Sequence, residues 1–137
     1  LTRQGICVID LDTVMPGTVL YDFGDSVRAG AATAAEDETD LSKVNFDLER
    51  YIQLAHGYLD SARDFLTANE VEYLPFSARL ITLEQGIRFL TDYLNGDVYY
   101  KTHREHHNLD RCCTQLKLVS EMEKNSDRMQ AVIQERF

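Results

Sequence analysis

The sequence predicts a mainly α-helical fold with one short β-strand or hairpin at its N-terminal end. Three observations support this prediction. The 137 residues fit a single domain with its own core. From Asn45 onward, apolar residues recur at the spacing of one helix face. Only one short run near the N-terminus, residues 5–9, is continuously apolar and β-branched.

The apolar run at residues 5–9 is followed directly by Asp10-Leu11-Asp12. This order is typical of a buried strand that delivers acidic side chains at its C-terminal end. Pro16-Gly17 then marks a turn. We therefore expect a strand over 5–9 with Asp10 and Asp12 just beyond it.

The next segment is predicted to hold a short helix and a loop. Asp22 can act as the N-cap of a helix over residues 23–29. Residues 30–43 mix Ala and Thr with four acidic residues and have no apolar period. A mobile loop is therefore expected over residues 30–45.

Two long helices are predicted after this loop. The first has Asn45 or Asp47 as its N-cap, and its apolar face is Leu48, Tyr51, Ile52, Ala55, Leu59, Ala62 and Leu66. The second is expected to start near Pro75 and to end at Asn95-Gly96. Its predicted apolar stripe is Phe76, Leu80, Leu83, Ile87, Leu90 and Leu94. Because Ile81 and Phe89 lie off that stripe, burial on more than one side is expected.

A third helix is predicted to begin around Asn108, with Leu109, Cys112, Leu116 and Val119 on its apolar face. A break is expected near Asn125-Ser126, after which the helical pattern resumes through residues 129–133. The three cysteines are an odd number without zinc-ligand spacing, which favours reduced thiols in a cytoplasmic protein.

The charge and hydropathy of the chain exclude several classes of function. Lys and Arg total 14 against 23 for Asp and Glu, a formal net charge of -9. Such a surface repels nucleic-acid phosphates and anionic lipids, so neither is an expected partner. The apolar runs are too short for a membrane span. The chain starts at Leu1 and enters an apolar stretch almost at once, so we expect it to be cut from a longer protein.

Asp10 and Asp12 are candidate metal ligands. Two carboxylates at i and i+2 beyond a strand can bind Mg²⁺ that bridges substrate phosphates. A bare Asp-x-Asp is weak evidence, and taken alone it favours solvated acids at a strand end. The surrounding sequence adds weight, because VIDLDT is followed by Pro16-Gly17 and then by LYDFGD at residues 20–25.

This combination resembles the aminoglycoside-phosphotransferase and choline-kinase-like superfamily, in which an apolar strand, Ile-Asp-x-Asp, a Pro/Gly turn and Tyr-Asp follow one another. Within it the chain is most similar to the N-acetylhexosamine kinases. The similarity extends to LEQGIRFLTDYL at 83–94, GDVYYK at 96–101 and HNLDR at 107–111. It covers nearly the whole chain, and residues 30–43 are its least informative part.

The resemblance implies a role for each acid. Asp10 would be the Mg²⁺ ligand that bridges the ATP phosphates, and Asp12 would support it or bind a second ion. Asp22 would accept backbone N–H bonds and brace the catalytic loop. The literal Asp22-Phe23-Gly24 resembles the magnesium motif of protein kinases, but it does not follow the strand, so we interpret this match as accidental.

The resemblance also indicates a sugar site. Spacing alone favours a surface ion pair between Glu84 and Arg88. The similarity implies instead that Arg88 faces a sugar and that Tyr99 is a nearby aromatic contact. His103, His106 and His107 lie in a highly charged segment and are interpreted as solvated residues, not metal ligands.

The function implied is that of the C-terminal lobe of an ATP- and Mg²⁺-dependent sugar kinase. Its substrate would be the 1-hydroxyl of an N-acetylhexosamine in mucin-glycan or amino-sugar salvage. Its catalytic Asp is expected upstream of Leu1, so the 137 residues alone are predicted to be inactive.

Several alternatives stay open. The substrate can be choline, an aminoglycoside or homoserine, or the chain can be a non-catalytic helical interaction module. Some relatives carry a mucin-desulfating label, but no Cys/Ser-x-Pro-x-Arg motif is present. Exposed apolar surface on the isolated lobe is expected to permit a dimer.

Overall fold

The structure is a computed structural model that describes residues 9, 11 and 14–137. These residues form five α-helices and one 3₁₀ turn, so the prediction of a mainly helical chain is confirmed. The helices are α1 Val19–Gly30, α2 Leu48–Ala62, α3 Ala68–Leu94, α4 His107–Lys124 and α5 Ser126–Arg136, and the 3₁₀ turn is Leu41–Lys43. None of the helices in the described part is both long and apolar enough to cross a membrane.

The β-structure within the described residues is limited to an isolated antiparallel bridge between Ala32 and Phe46. Most of the predicted strand over 5–9 lies outside the described residues. Its last residue, Ile9, is described, and it is exposed and not in a strand.

Helix α1 is longer than the sequence predicted. Its N-cap is Thr18, whose hydroxyl accepts the Leu20 N–H at 3.4 Å. Asp22 is therefore not the cap but an exposed residue near the start of the helix. Phe23 and Val27 are buried, so they mark the face of α1 that packs into the core.

Helix α3 is the centre of the packing, since it contacts α1, α4 and α5. Gly24 permits the close approach of α1, because a Cβ there would lie 2.7 Å from the backbone oxygen of Ser77. Gly86 does the same for α4, where a Cβ would lie 3.2 Å from the Cβ of Gln115. The α1 and α4 backbones thus rest almost directly on α3.

The predicted start of α3 near Pro75 is wrong. The helix begins at Ala68, where Thr67 and Glu70 form a capping box in which each side chain binds the other's backbone N–H. Pro75 lies inside the helix and is buried. The helix continues past it, although proline cannot donate the bond to the carbonyl four residues earlier.

The predicted apolar stripe of α3 is also on the wrong face. The buried face consists mainly of small or polar residues such as Ser77, Ala78, Thr82 and Gly86. The hydroxyls of Ser77 and Thr82 are satisfied by carbonyls of their own helix, each at 2.7 Å. Most of the large apolar residues of the stripe are exposed, whereas Leu74 and Phe89 are the large apolar residues of α3 that are almost fully buried.

Helices α2 and α5 close the other side of the core. Asp47 caps α2 by accepting the Arg50 N–H at 3.1 Å, which confirms one of the two predicted caps. Tyr51 is fully buried and donates its hydroxyl to the Met129 carbonyl at 3.0 Å. Burial raises the pKa of Tyr51 well above its usual value. The predicted break at Asn125 is confirmed as the junction of α4 and α5.

The segment between α1 and α2 is held by specific contacts. Ala31 and Asp47 are joined by a backbone hydrogen bond of 2.8 Å, and the Thr114 hydroxyl donates to the Glu38 carbonyl at 3.0 Å. That residues 30–45 are mobile stays a prediction.

The interpretation of His107 as a solvated residue is wrong. His107 is buried, and its Nε2 lies 3.0 Å from Asp37 Oδ2. Because its Nδ1 accepts the His103 backbone N–H at 3.2 Å, Nε2 is the atom that carries the proton toward Asp37. Hydrogen bonding to His107 helps to hold the pKa of Asp37 below its usual value. His103 and His106 are exposed.

Two glycine substitutions test the packing of α1 on α3. Gly24→Ala should lower the free energy of unfolding by about 1–3 kcal/mol, because the new methyl group collides with the α3 backbone. Gly57→Ala is the control: no atom lies within 4 Å of its Cβ position, so it should stabilise α2 by about 0.5–1 kcal/mol. Urea unfolding followed by circular dichroism measures both. Equal effects of the two substitutions would contradict this packing.

Candidate substrate cleft

Arg88 and Tyr99 line the same cleft, although they are eleven positions apart and lie on different elements. The cleft has a volume of about 360 Å³ and lies where α3 ends and the following loop turns back over it. Its remaining walls are Thr91, Asp92, Asn95, Val98 and Tyr100. The two residues predicted as sugar contacts are thus close enough to contact one small ligand.

The loop that carries Tyr99 is fixed by a buried carboxylate. Asp92 is 4% exposed, and its oxygens accept the backbone N–H groups of Val98, Tyr99 and Tyr100 at 3.0, 2.8 and 2.9 Å. The Asn108 side chain donates a fourth hydrogen bond at 2.9 Å. Burial opposes ionisation, but these donors outweigh it and hold the pKa of Asp92 below its usual value.

Asn108 connects this carboxylate to α4. It is fully buried, and its amide nitrogen also donates to Asp97 Oδ1 at 2.8 Å, while its carbonyl oxygen accepts from Arg111 at 3.0 Å. Asp97 has a φ of 58°, a left-handed conformation that Asp tolerates better than most residues. The turn after α3 is therefore tied to the helix on each side of it.

Arg88 is held by an aromatic ring. Its guanidinium carbon lies 5.8 Å from the centroid of the Tyr100 ring, within cation–π range. The ion pair with Glu84 that the spacing suggested is not formed within the described part of the chain. Gln85 fixes Tyr100 by donating to its hydroxyl at 3.2 Å, and Tyr99 packs edge-on against Tyr100 at 4.8 Å.

A second, acidic cleft adjoins the first and shares Arg88 with it. This cleft of about 450 Å³ is lined by Tyr21, Asp22, Asp25, Arg28, Ile81, Glu84, Gln85 and Arg88. Arg28 is already neutralised here, since it donates to Asp25 at 2.7 Å and to Glu36 at 2.8 Å. Arg88 thus lies between an aromatic wall and a carboxylate-rich wall.

Of the three predicted acids, only Asp22 lies within the described residues. Asp22 lines the acidic cleft, and its proposed contact with a catalytic loop stays a prediction. Asp10 and Asp12, the predicted magnesium ligands, lie outside the described residues. Within the described residues, no group of three or more His, Cys, Asp or Glu side chains could hold a metal ion. Asp22-Phe23-Gly24 lies within α1, where Phe23 and Gly24 are packing residues.

No family model matches the chain. The assignment to a kinase superfamily therefore remains a prediction from the sequence resemblance.

Sequence reasoning missed Asp92, Tyr100 and Asn108. One signal was available for Asp92, because a carboxylate in the last turn of a helix is disfavoured by the helix dipole. Asp92 lies at such a position, and Asn95-Gly96 marks a turn directly after it. This combination indicates that the carboxylate binds partners in the turn beyond the helix.

Replacement of Asp92 should produce a pH-dependent loss of stability. Asp92→Asn puts an amide group where the carboxylate accepts four donors, so its urea midpoint at about pH 7 should lie below that of the wild type. The pKa of Asp92 is lower in the folded protein than its value of about 3.9 in the unfolded chain. The ionised carboxylate therefore stabilises the fold at pH values above about 3.9, and this stabilisation is lost as the pH falls through the pKa of the folded protein.

The gap between Asp92→Asn and wild type should therefore close as the pH is lowered below about 4. The exposed Asp64→Asn is the control and should show little difference at any pH. A gap that is constant with pH would contradict the role of the ionised carboxylate.

Proposed function

We propose that the chain is the substrate-binding helical lobe of an ATP-dependent small-molecule kinase that acts on a neutral amino sugar such as an N-acetylhexosamine. The observation that carries this proposal is that Arg88 and Tyr99 line one cleft, with Arg88 held by Tyr100 and not by Glu84. The sequence resemblance to hexosamine kinases, from which the roles of Arg88 and Tyr99 were inferred, is the second support.

The two side chains suit a sugar chemically. A guanidinium carries five N–H donors, which can bind several hydroxyl oxygens or an acetamido oxygen at once. The Tyr99 side chain is 74% exposed and offers both a flat face and a hydroxyl group. Asp92 already fixes the backbone of Tyr99 by a hydrogen bond. Little backbone conformational entropy is therefore lost when a ligand binds.

The reaction proposed for the whole enzyme is phosphoryl transfer. The sugar hydroxyl oxygen bonds to the γ-phosphorus of ATP as the bond from that phosphorus to ADP breaks, and the hydroxyl proton passes to a carboxylate base. That base is proposed to lie upstream of Leu1. Mg²⁺, when bound, would neutralise the phosphate charge, with Asp10 and Asp12 as its proposed ligands. The role of Arg88 and Tyr99 is to bind and orient the sugar.

A cationic alcohol such as choline or an aminoglycoside is the second candidate substrate. The acidic cleft beside Arg88 favours it, because Asp22, Asp25 and Glu84 line that wall. Arg88 opposes it, since a like charge in the same cleft repels an ammonium group. A panel that contains both kinds of substrate separates the two.

The test is a kinase assay on a protein that joins this chain to the proposed upstream residues, with N-acetylhexosamines, choline and aminoglycosides as substrates. Arg88→Ala should lower kcat/KM for the amino sugar by about 10- to 100-fold, the effect of losing hydrogen bonds from a charged donor. Arg79→Ala is the matched control, because Arg79 is also on α3 and also lies over an aromatic ring, Phe76, at 5.6 Å.

The sugar assignment is contradicted if Arg88→Ala and Arg79→Ala have the same kcat/KM for the amino sugar. It is also contradicted if no amino sugar is phosphorylated. The purified 137-residue chain should show no ATP turnover. Measurable turnover would contradict the proposed division of the active site between this lobe and the preceding sequence.

A further inference from the structure

The outer face of α3 carries a regular heptad pattern. Seven apolar residues follow one another at alternating intervals of three and four positions, as in the a and d positions of a coiled coil. We call this set the α3 seam; it consists of Tyr73, Phe76, Leu80, Leu83, Ile87, Leu90 and Leu94. It runs along about 32 Å of helix at 1.5 Å per residue.

The α3 seam faces away from the core. Six of its seven residues are between 37% and 73% exposed, and Leu90 is half-buried. Helices α1, α4 and α5 contact α3, and its buried residues, such as Ser77, Thr82 and Gly86, lie outside the seam. Contiguous apolar surface of this extent is unusual on a monomer and marks an interaction site.

Charges on the two flanks of the α3 seam identify a compatible partner. With Tyr73 at an a position, Arg79 falls at g and Glu84 falls at e. In a parallel two-stranded coiled coil, the g residue of one helix lies beside the following e residue of its partner. Two copies aligned in parallel and in register would thus pair Arg79 with Glu84 twice, once on each side of the seam.

The antiparallel arrangement is disfavoured by the same charges. A centred antiparallel pair places e positions opposite e positions, so Glu84 would face the Glu84 of the other copy. Like charges in such positions are destabilising. The charge pattern therefore complements a second copy of this chain in one orientation.

We infer that the α3 seam binds the α3 seam of a second copy, in a parallel and in-register pair with two-fold symmetry. Such an interface is self-complementary, as two-fold dimers require. Arg88 falls at a b position, outside the seam, whereas Thr91 of the same cleft falls at an e position beside it. The net charge of -9 on each copy opposes association, which limits its strength at low salt.

Sedimentation velocity of the 137-residue chain tests this pairing over about 1–200 µM, a range that detects a micromolar dimer. The wild type should form a concentration-dependent dimer, and Ile87→Glu should remove it. Arg79→Glu and Glu84→Arg should each weaken the dimer roughly tenfold, because each replaces two attractive pairs by two repulsive ones. The double variant Arg79→Glu/Glu84→Arg should restore it.

Arg128→Glu is the control, since Arg128 is exposed and belongs to α5, not to the seam. Circular dichroism checks that each variant retains its helices. A wild type that remains monomeric over the whole range overturns the proposal, and so does a dimer that persists in Ile87→Glu. Failure of the double variant to restore the dimer overturns the parallel register.

Discussion

The structure depends on the close approach of two helices to α3. At Gly24 and Gly86 the neighbouring helix lies so near that an added Cβ would contact backbone or side-chain atoms at 2.7 and 3.2 Å. Packing through small residues at these contacts leaves α3 with few large buried side chains, among them Leu74 and Phe89. Many of the large apolar residues of α3 lie on its outer side, and Val71 and Leu74 join large residues from α1, α2, α4 and α5 in the core.

The same helix connects the core to the candidate site. Phe89 is buried, and its ring centroid lies 4.8 Å from that of Tyr100. One turn further along α3, Asp92 accepts backbone N–H hydrogen bonds from the loop that follows. Loss of the Asp92 carboxylate would leave the backbone N–H groups of Val98, Tyr99 and Tyr100 without their acceptor. The last turn of α3 therefore positions the backbone of Tyr99, and the cleft depends on the same helix as the core.

Local sequence signals were sufficient for some elements and not for others. The cap of α2 at Asp47 and the break at Asn125 depend on residues within one helical turn, and both were predicted. The inner face of α3 depends on how closely other helices approach, which the period of its own residues does not contain. His107 was misjudged because Asp37, its partner, lies 70 positions away in the sequence.

Arg28 and Arg88, which both line the acidic cleft, differ in whether their donors are already used. Arg28 uses its donors on Asp25, Glu36 and Gln115, so it is a structural link between α1, the loop and α4. Arg88 is positioned by the face of Tyr100, which attracts the guanidinium without consuming its N–H groups. In a chain with a large excess of acids, Arg88 makes no hydrogen bond or ion pair with the other described residues. Its available donors support the proposal of a ligand rich in hydroxyl and carbonyl oxygens.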